Sequence, residues 1–245
     1  MFPKIKAASV PFLTTEQMIE VDRAMIEDYQ ILLIQMMENA GRNLAHLGRA
    51  RFLSEDPSGK RVAVLAGVGG NGGGALVCAR RLKNWGASVE VFVTKRHEDF
   101  TDIPGHQLRI TRSMNIPSGI GAPPAEAQFD LVVDGIIGYS LKGAPYGTAA
   151  DMIRWANRQS APVLALDAPS GVDSSSGAAI DPVIDAAATM TLALPKEGLR
   201  AQSVRARVGE LYLADISVPP ELYAEPALRL QASAIFTQSE VVQLV

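Results

Sequence analysis

Residues 61–86 read RVAVLAGVGGNGGGALVCARRLKNWG, an apolar run, six glycines between Gly67 and Gly74, and an apolar-periodic segment ending at Gly86. The run RVAVLAG suits a strand buried on both faces, GGGALVCARRLKNWG reads as a helix, and SVEVFVT supplies a second strand. That order at that spacing describes a right-handed βαβ unit on a parallel sheet. The rhythm continues with FDLVVDGIIG, TAADMIRWANRQ, APVLALDAPSG, TMTLALP and GELYLADI, which read as strand, helix, strand, strand and strand. A Pro/Gly-rich connection fills 114–128. The expected fold is a doubly wound, Rossmann-like α/β/α sandwich on a mostly parallel sheet.

Two helices precede this core. Residues 14–29 place Met18, Val21 and Met25 on one face behind a Thr14/Gln17 capping box, and residues 32–53 keep Leu33, Met37, Ala40, Leu44 and Leu47 in register. The chain of 245 residues is therefore read as one domain. It comprises an extension (1–12), a helical addition (13–55), a Rossmann-like core (56–215) and a C-terminal segment (216–245).

Composition narrows the function. A net charge of −3 and a pI near 5.7, with basic residues scattered, leave no general attraction for nucleic acid or anionic lipid. The single cysteine, Cys78, lies among apolar neighbours and admits no internal disulfide or cysteine-rich zinc site. His46, His97 and His106 share no ligand spacing. Without a signal-peptide pattern or an apolar span, the chain reads as cytoplasmic.

In open α/β sheets ligands bind beyond the carboxyl ends of the strands. Three such ends carry chemistry. Gly67, Gly69 and Gly72 fit G-x-G-x-x-G between strand and helix, where bare amides approach an anion. A ligand-free tight turn is the competing reading. Thr94, Lys95 and Arg96 replace the acidic ribose ligand expected after the next strand, which favours a phosphorylated cofactor. Asp134 ends a nearly apolar strand and needs a partner or a cation, unless it only caps a turn. Asp167 ends another strand, with Pro169 stiffening its loop and Ser170 close behind, while Asp173 reads as an ordinary turn residue.

Taken in order, these segments resemble the NAD(P)H-hydrate epimerase family, the YjeF N-terminal domain, over about residues 13–215. MENAG at 37–41, VGGNGGGALV, DLVVDGIIGYSLKG, LALDAPSGVD and LPKEGL carry the likeness. The resemblance implies an isomerase that interconverts the R and S forms of hydrated NADH and NADPH, cofactors damaged by a hydroxyl at C6 of the reduced nicotinamide. It implies potassium held by Asn71, Asp134 and Ser170, and a catalytic Asp167 that also touches substrate. It further implies a dinucleotide site from Gly70, Asn71, Gly72, Gly73 and Gly74, with Gly138, Tyr139, Ser140, Leu141, Lys142, Gly143 and Ala144 as a covering loop. No organic cofactor is expected. A homodimer through the opening helices and a separate dehydratase partner are expected, with no nucleic acid and no membrane.

One departure stands out. Gly70 and Gly74 occupy positions where the family carries Asn and Asp, and Ala75 replaces a Gly. Two alternatives stay open on that account, a related enzyme with a changed substrate and a non-catalytic nucleotide- or protein-binding module. The acidic pI and the retained Asp134, Asp167 and Ser170 count against an RNA-binding version of the module, and any binding module has less reason to keep all three.

Overall fold

A computed structural model describes residues 2–232 and 234–245. Its first strand, β1 (Lys4–Ile5), is followed by α1 (Thr15–Glu27) and α2 (Leu33–Phe52). The capping box forms as expected: the Gln17 amide donates to Thr14 Oγ1 at 3.2 Å, and the Thr14 amide donates to Gln17 Oε1 at 2.9 Å. Then come β2 (Arg61–Ala66), α3 (Gly70–Asn84), β3 (Ser88–Val93), α4 (Asp102–Ser113), β4 (Ser118–Ile120) and β5 (Leu131–Gly135). The chain continues through α5 (Gly147–Ala156), β6 (Val163–Leu166), β7 (Ala188–Leu192), α6 (Arg205–Val208), β8 (Glu210–Ala214), α7 (Pro220–Ala224) and β9 (Val241–Leu244).

The strands form one sheet in the order β1-β9-β8-β7-β6-β5-β2-β3-β4. Every pairing is parallel except β8 with β9. Alternation along β2 shows why both faces are covered. Val62, Val64 and Ala66 pack with α2 and α3, and Ala63 and Leu65 pack with α5. From β2 the chain winds outward to β3 and β4, then returns to β5 on the other flank. The winding therefore reverses between β2 and β5, where a sheet of this kind opens a crevice.

Three expectations change. The stretch 114–128 is not wholly a connection, because Ser118–Ile120 pairs with β3 as the edge strand. A helix, α4, stands before it where no element was expected. The extension and the C-terminal segment also enter the sheet, since Lys4 and Ile5 pair with Gln243 and Leu244. Among the described residues, no helix is long and apolar enough to cross a membrane.

Candidate active site

A cavity of about 700 Å³ opens at the carboxyl ends of the parallel strands, spanning the reversal between β2 and β5. Its floor and walls come from the β2–α3 turn, the end of β3, the loop after β5, and the ends of β6 and β7. Met18 and Asp22 of α1 and Met36 and Met37 of α2 close one side. The volume suits a small-molecule ligand of dinucleotide size.

The glycines of the β2–α3 turn divide into two kinds. Gly67, Gly69, Gly70 and Asn71 line the cavity, whereas Gly72, Gly73 and Gly74 are buried inside α3 and do not. A Cβ at Gly72 would stand 1.7 Å from the Gly67 carbonyl oxygen, and one at Gly73 would stand 2.3 Å from Met37 Sδ. A Cβ at Gly74 would stand 2.8 Å from Leu166 Cδ2. A Cβ at Gly41 of α2 would stand 2.4 Å from the Gly74 carbonyl oxygen, so glycine lets the two helices and the sheet approach. This corrects the reading of Gly74 as a position that lost a polar substrate contact. Gly70 keeps that reading, because a Cβ there meets nothing within 4 Å.

Asp134 is fully buried at the end of β5. Its Oδ1 accepts from Ser170 Oγ at 2.6 Å and from the Ile136 amide at 3.1 Å, and its Oδ2 accepts from the Ser170 amide at 2.8 Å. Desolvation nevertheless pushes its pKa up from 3.8 to about 6, the hydrogen bonds opposing burial only in part. None of these partners is cationic. Ser170 Oγ also accepts from the Ile137 amide at 2.9 Å, which ties the β6 loop to the β5 loop. Asn71 reaches across from α3, donating through Nδ2 to the Leu166 carbonyl at 2.6 Å, and its side-chain atoms lie against Gly138. The structure therefore brings Asn71, Asp134 and Ser170 together around the β5 end.

Asp167 follows β6 and is 2% exposed. Its φ of +65° is a conformation that aspartate tolerates better than most residues. Its amide is held by the Met190 carbonyl at 2.7 Å. Lys196, also fully buried, makes a short ion pair with Asp167 Oδ1 and donates to the Leu192 carbonyl at 3.0 Å. Thr191 Oγ1 and the Leu192 amide reach the same Oδ1 at 3.3 Å. Every hydrogen bond to the Asp167 carboxylate falls on Oδ1, which leaves Oδ2 without a protein partner among the described residues. One oxygen is anchored, and the other is available to the cavity that Asp167 lines.

Lys196 and Asp22 line the same cavity and were not singled out from sequence as site residues. Lys196 Nζ stands 5.9 Å from the Tyr139 ring centroid, and Tyr139 donates its hydroxyl to Asp22 Oδ2 at 2.6 Å. Burial raises the Asp22 pKa, with the Tyr139 hydrogen bond opposing it. Burial and the neighbouring Asp22 charge raise that of Tyr139. Leu13 holds the lysine's backbone through Leu13 N to Pro195 O at 2.8 Å and Glu197 N to Leu13 O at 2.9 Å. The opening helices thus reach the site through Asp22 and through the residue just before them. The remaining residues of the covering loop, Gly138, Ser140, Leu141, Lys142, Gly143 and Ala144, all line the cavity with Tyr139.

With this geometry in place, residues 33–198 match the family model described as YjeF-related protein N-terminus. The chain belongs to that family. A protein of Dehalogenimonas lykanthroporepellens named NAD(P)H-hydrate epimerase is 39% identical over 228 residues, covering 93% of this chain and 91% of its own. A Moorella thermoacetica protein named bifunctional NAD(P)H-hydrate repair enzyme is 36% identical over 86% of this chain, which spans 41% of that longer relative. The fold is shared with the crystal structure of yeast ynu0 (TM-score 0.79, 24% identity, 96% of this chain and 100% of that one). The YjeF-related match includes Lys196 in its final turn. The Pro-Lys-x-Gly-Leu likeness in the sequence was the signal that could have marked this lysine.

Proposed function

We infer that the protein is an epimerase that interconverts the R and S forms of hydrated NADH and NADPH. The observation that carries this reading is Asp167, fixed through one oxygen by Lys196 and unpartnered at the other, facing a cavity sized for a dinucleotide. The damaged nicotinamide carries its hydroxyl on C6, next to the ring nitrogen. A proton delivered to that oxygen lets the C6–O bond break as the nitrogen lone pair forms a C=N bond, and water leaves. Addition of water to the opposite face, with Asp167 taking the proton back, yields the other epimer. Atoms and electrons balance without an oxidant or reductant, so the reaction asks for no organic cofactor. General acid–base help of this kind is worth about 10²–10⁴ in rate.

The donor set at the β5 end fits a monovalent cation. Asp134 is a buried, raised carboxylate without a cationic side chain, and Asn71 and Ser170 add neutral oxygens. Among the described residues no three His, Cys, Asp or Glu side chains are placed to hold a metal ion together, which disfavours a transition-metal site. We assign these three residues to potassium, whose charge would hold the β5 and β6 loops around the substrate. Ile19 and Ile26 on α1 and Leu32 just before α2 are exposed and support the homodimer expected there. The bifunctional relative supports a separate dehydratase as the enzyme that consumes the epimerised product.

The test is to supply the pure protein with R-hydrated NADPH and follow the S epimer by chromatography. Equilibration faster than the spontaneous exchange is the expected result, and none over that background overturns the reading.

A further inference from the structure

The cavity has two poles. Asp167 and Lys196 stand at the β6–β7 side, and Thr94 and Lys95 stand just past the end of β3. From β6 to β3 are three strand steps, roughly 14 Å at the usual interstrand spacing. Two riboses and a pyrophosphate bridge such a gap, which puts the adenosine ribose of a substrate reacting at Asp167 near β3.

The β3 pole is cationic and uncommitted. Arg96 is occupied by Glu98 at 2.6 Å and Asp99 at 3.5 Å. Lys95 is exposed, lines the cavity, and makes no ion pair among the described residues. Tyr146 lines the same cavity at 81% exposure, a large aromatic face with no core to serve. Gly121 is hydrogen-bonded to the last residue of β3, and a Cβ placed on it would stand 3.9 Å from Thr148 Cγ2. The Tyr146–Thr148 turn therefore lies on the β3 side. In a doubly wound sheet, a carboxylate after this strand holds a free 2′-hydroxyl, and a cation there accepts a 2′-phosphate.

We propose that Lys95 is the specificity-determining residue that receives the 2′-phosphate of the adenosine ribose, so that hydrated NADPH is preferred over hydrated NADH. The proposal rests on the epimerase reading for its substrate. Its own chemistry concerns only a ribose phosphate. A solvent-screened, charge-assisted contact predicts a preference of about tenfold in kcat/KM. The preference shrinks as salt rises. Tyr146, stacking on the adenine, serves both substrates alike.

The experiment pairs turnover with binding. Both hydrated cofactors are assayed with the parent, Lys95→Glu and Tyr146→Ala proteins, and adenosine 2′,5′-bisphosphate is compared with AMP by calorimetry. The expected result is tighter binding of the bisphosphate and faster use of hydrated NADPH. Lys95→Glu then brings both ratios to one or below, while Tyr146→Ala leaves the ratios standing. Equal binding of the two adenosines by the parent, or a ratio unmoved in Lys95→Glu, overturns the proposal. If neither hydrate is epimerised but the bisphosphate still discriminates through Lys95, the subsite stands and the epimerase reading falls.

Discussion

The ends of β2 and β6 border the same cavity, two strands apart, and use opposite means. At β2 the chain removes side chains. Gly72 folds back on Gly67, Gly73 admits Met37, and Gly74 admits Leu166, so α2, α3 and the sheet approach at backbone distance. At β6 the chain buries charge. Asp167 and Lys196 lose nearly all water and are compensated, among the described residues, through each other, Thr191, the Leu192 backbone and the Tyr139 ring. A glycine cluster beside a ligand cavity is thus mostly architecture, with only its first members at the surface. The proposed chemistry lies with the buried pair.

The sharpest way to break that contrast is Lys196→Met. Removing one partner leaves the other charge buried and alone, a loss of about 3–5 kcal/mol. Thermal melts should show it, with activity lost as well. Asp167→Asn strands the buried Lys196 in the same way, so its melting temperature should also fall. Assayed below that temperature, its kcat should drop by about 10²–10⁴ with a smaller change in KM. The double variant Asp167→Asn/Lys196→Met removes both charges and should regain much of the stability and none of the activity. Recovery of activity in the double variant would remove the pair from the chemistry.

Between the two ends lies Asp134, and pH probes it. The native state holds a proton that the unfolded chain, with a value near 3.8, releases. This group's contribution to stability is therefore largest below pH 4 and falls as pH rises to about 6, by about 3 kcal/mol. A bound potassium ion favours the charged form and offsets that fall. Melts from pH 4 to 7 in choline and in potassium buffers should diverge toward the upper end, and Asp134→Asn should lose the divergence. Identical curves in both salts would leave the β5 end without its cation.

Legibility followed the same divide. Strand ends that begin after long apolar runs announce themselves, so Asp134 and Asp167 could be picked out as costly charges in apolar company. Composition could not pick out Lys196, because a lysine between Pro195 and Glu197 has the make-up of an exposed turn, and only the family likeness of LPKEGL pointed to it. Its burial comes from a carboxylate 29 positions earlier and from Leu13 on the other side of the helices. The sheet edges were hidden for a related reason. Two residues at Lys4–Ile5 and four at Val241–Leu244 carry too short a pattern, and only their pairing makes them strands. The six glycines were visible, but sequence spacing cannot distinguish a residue that faces a ligand from one that faces a helix.

Substitutions within the glycine cluster test that distinction with a medium effect. Gly72→Ala places a methyl carbon against backbone that has no flexible end to yield, and should cost about 1–3 kcal/mol. Gly74→Asp should also destabilise, since it puts a carboxylate between α3 and Leu166 of the sheet. Denaturant midpoints should fall in both. Unchanged midpoints would return these positions to the substrate.

The smallest expected effect is at Gly70. It opens α3, faces the cavity, and has empty space where a side chain would begin. Its φ is not in the left-handed region, so a side chain meets no backbone strain there. Gly70→Asn should therefore leave the melting temperature within a degree or two, the scale of a few tenths of a kcal/mol in a chain of this size. Its effect belongs in KM, through a side-chain amide added beside the substrate. Combined with Gly74→Asp, the same change would be masked by lost packing, so the two must be made separately. A lower KM at constant stability in Gly70→Asn alone would show that this glycine, unlike its buried neighbours, belongs to the ligand.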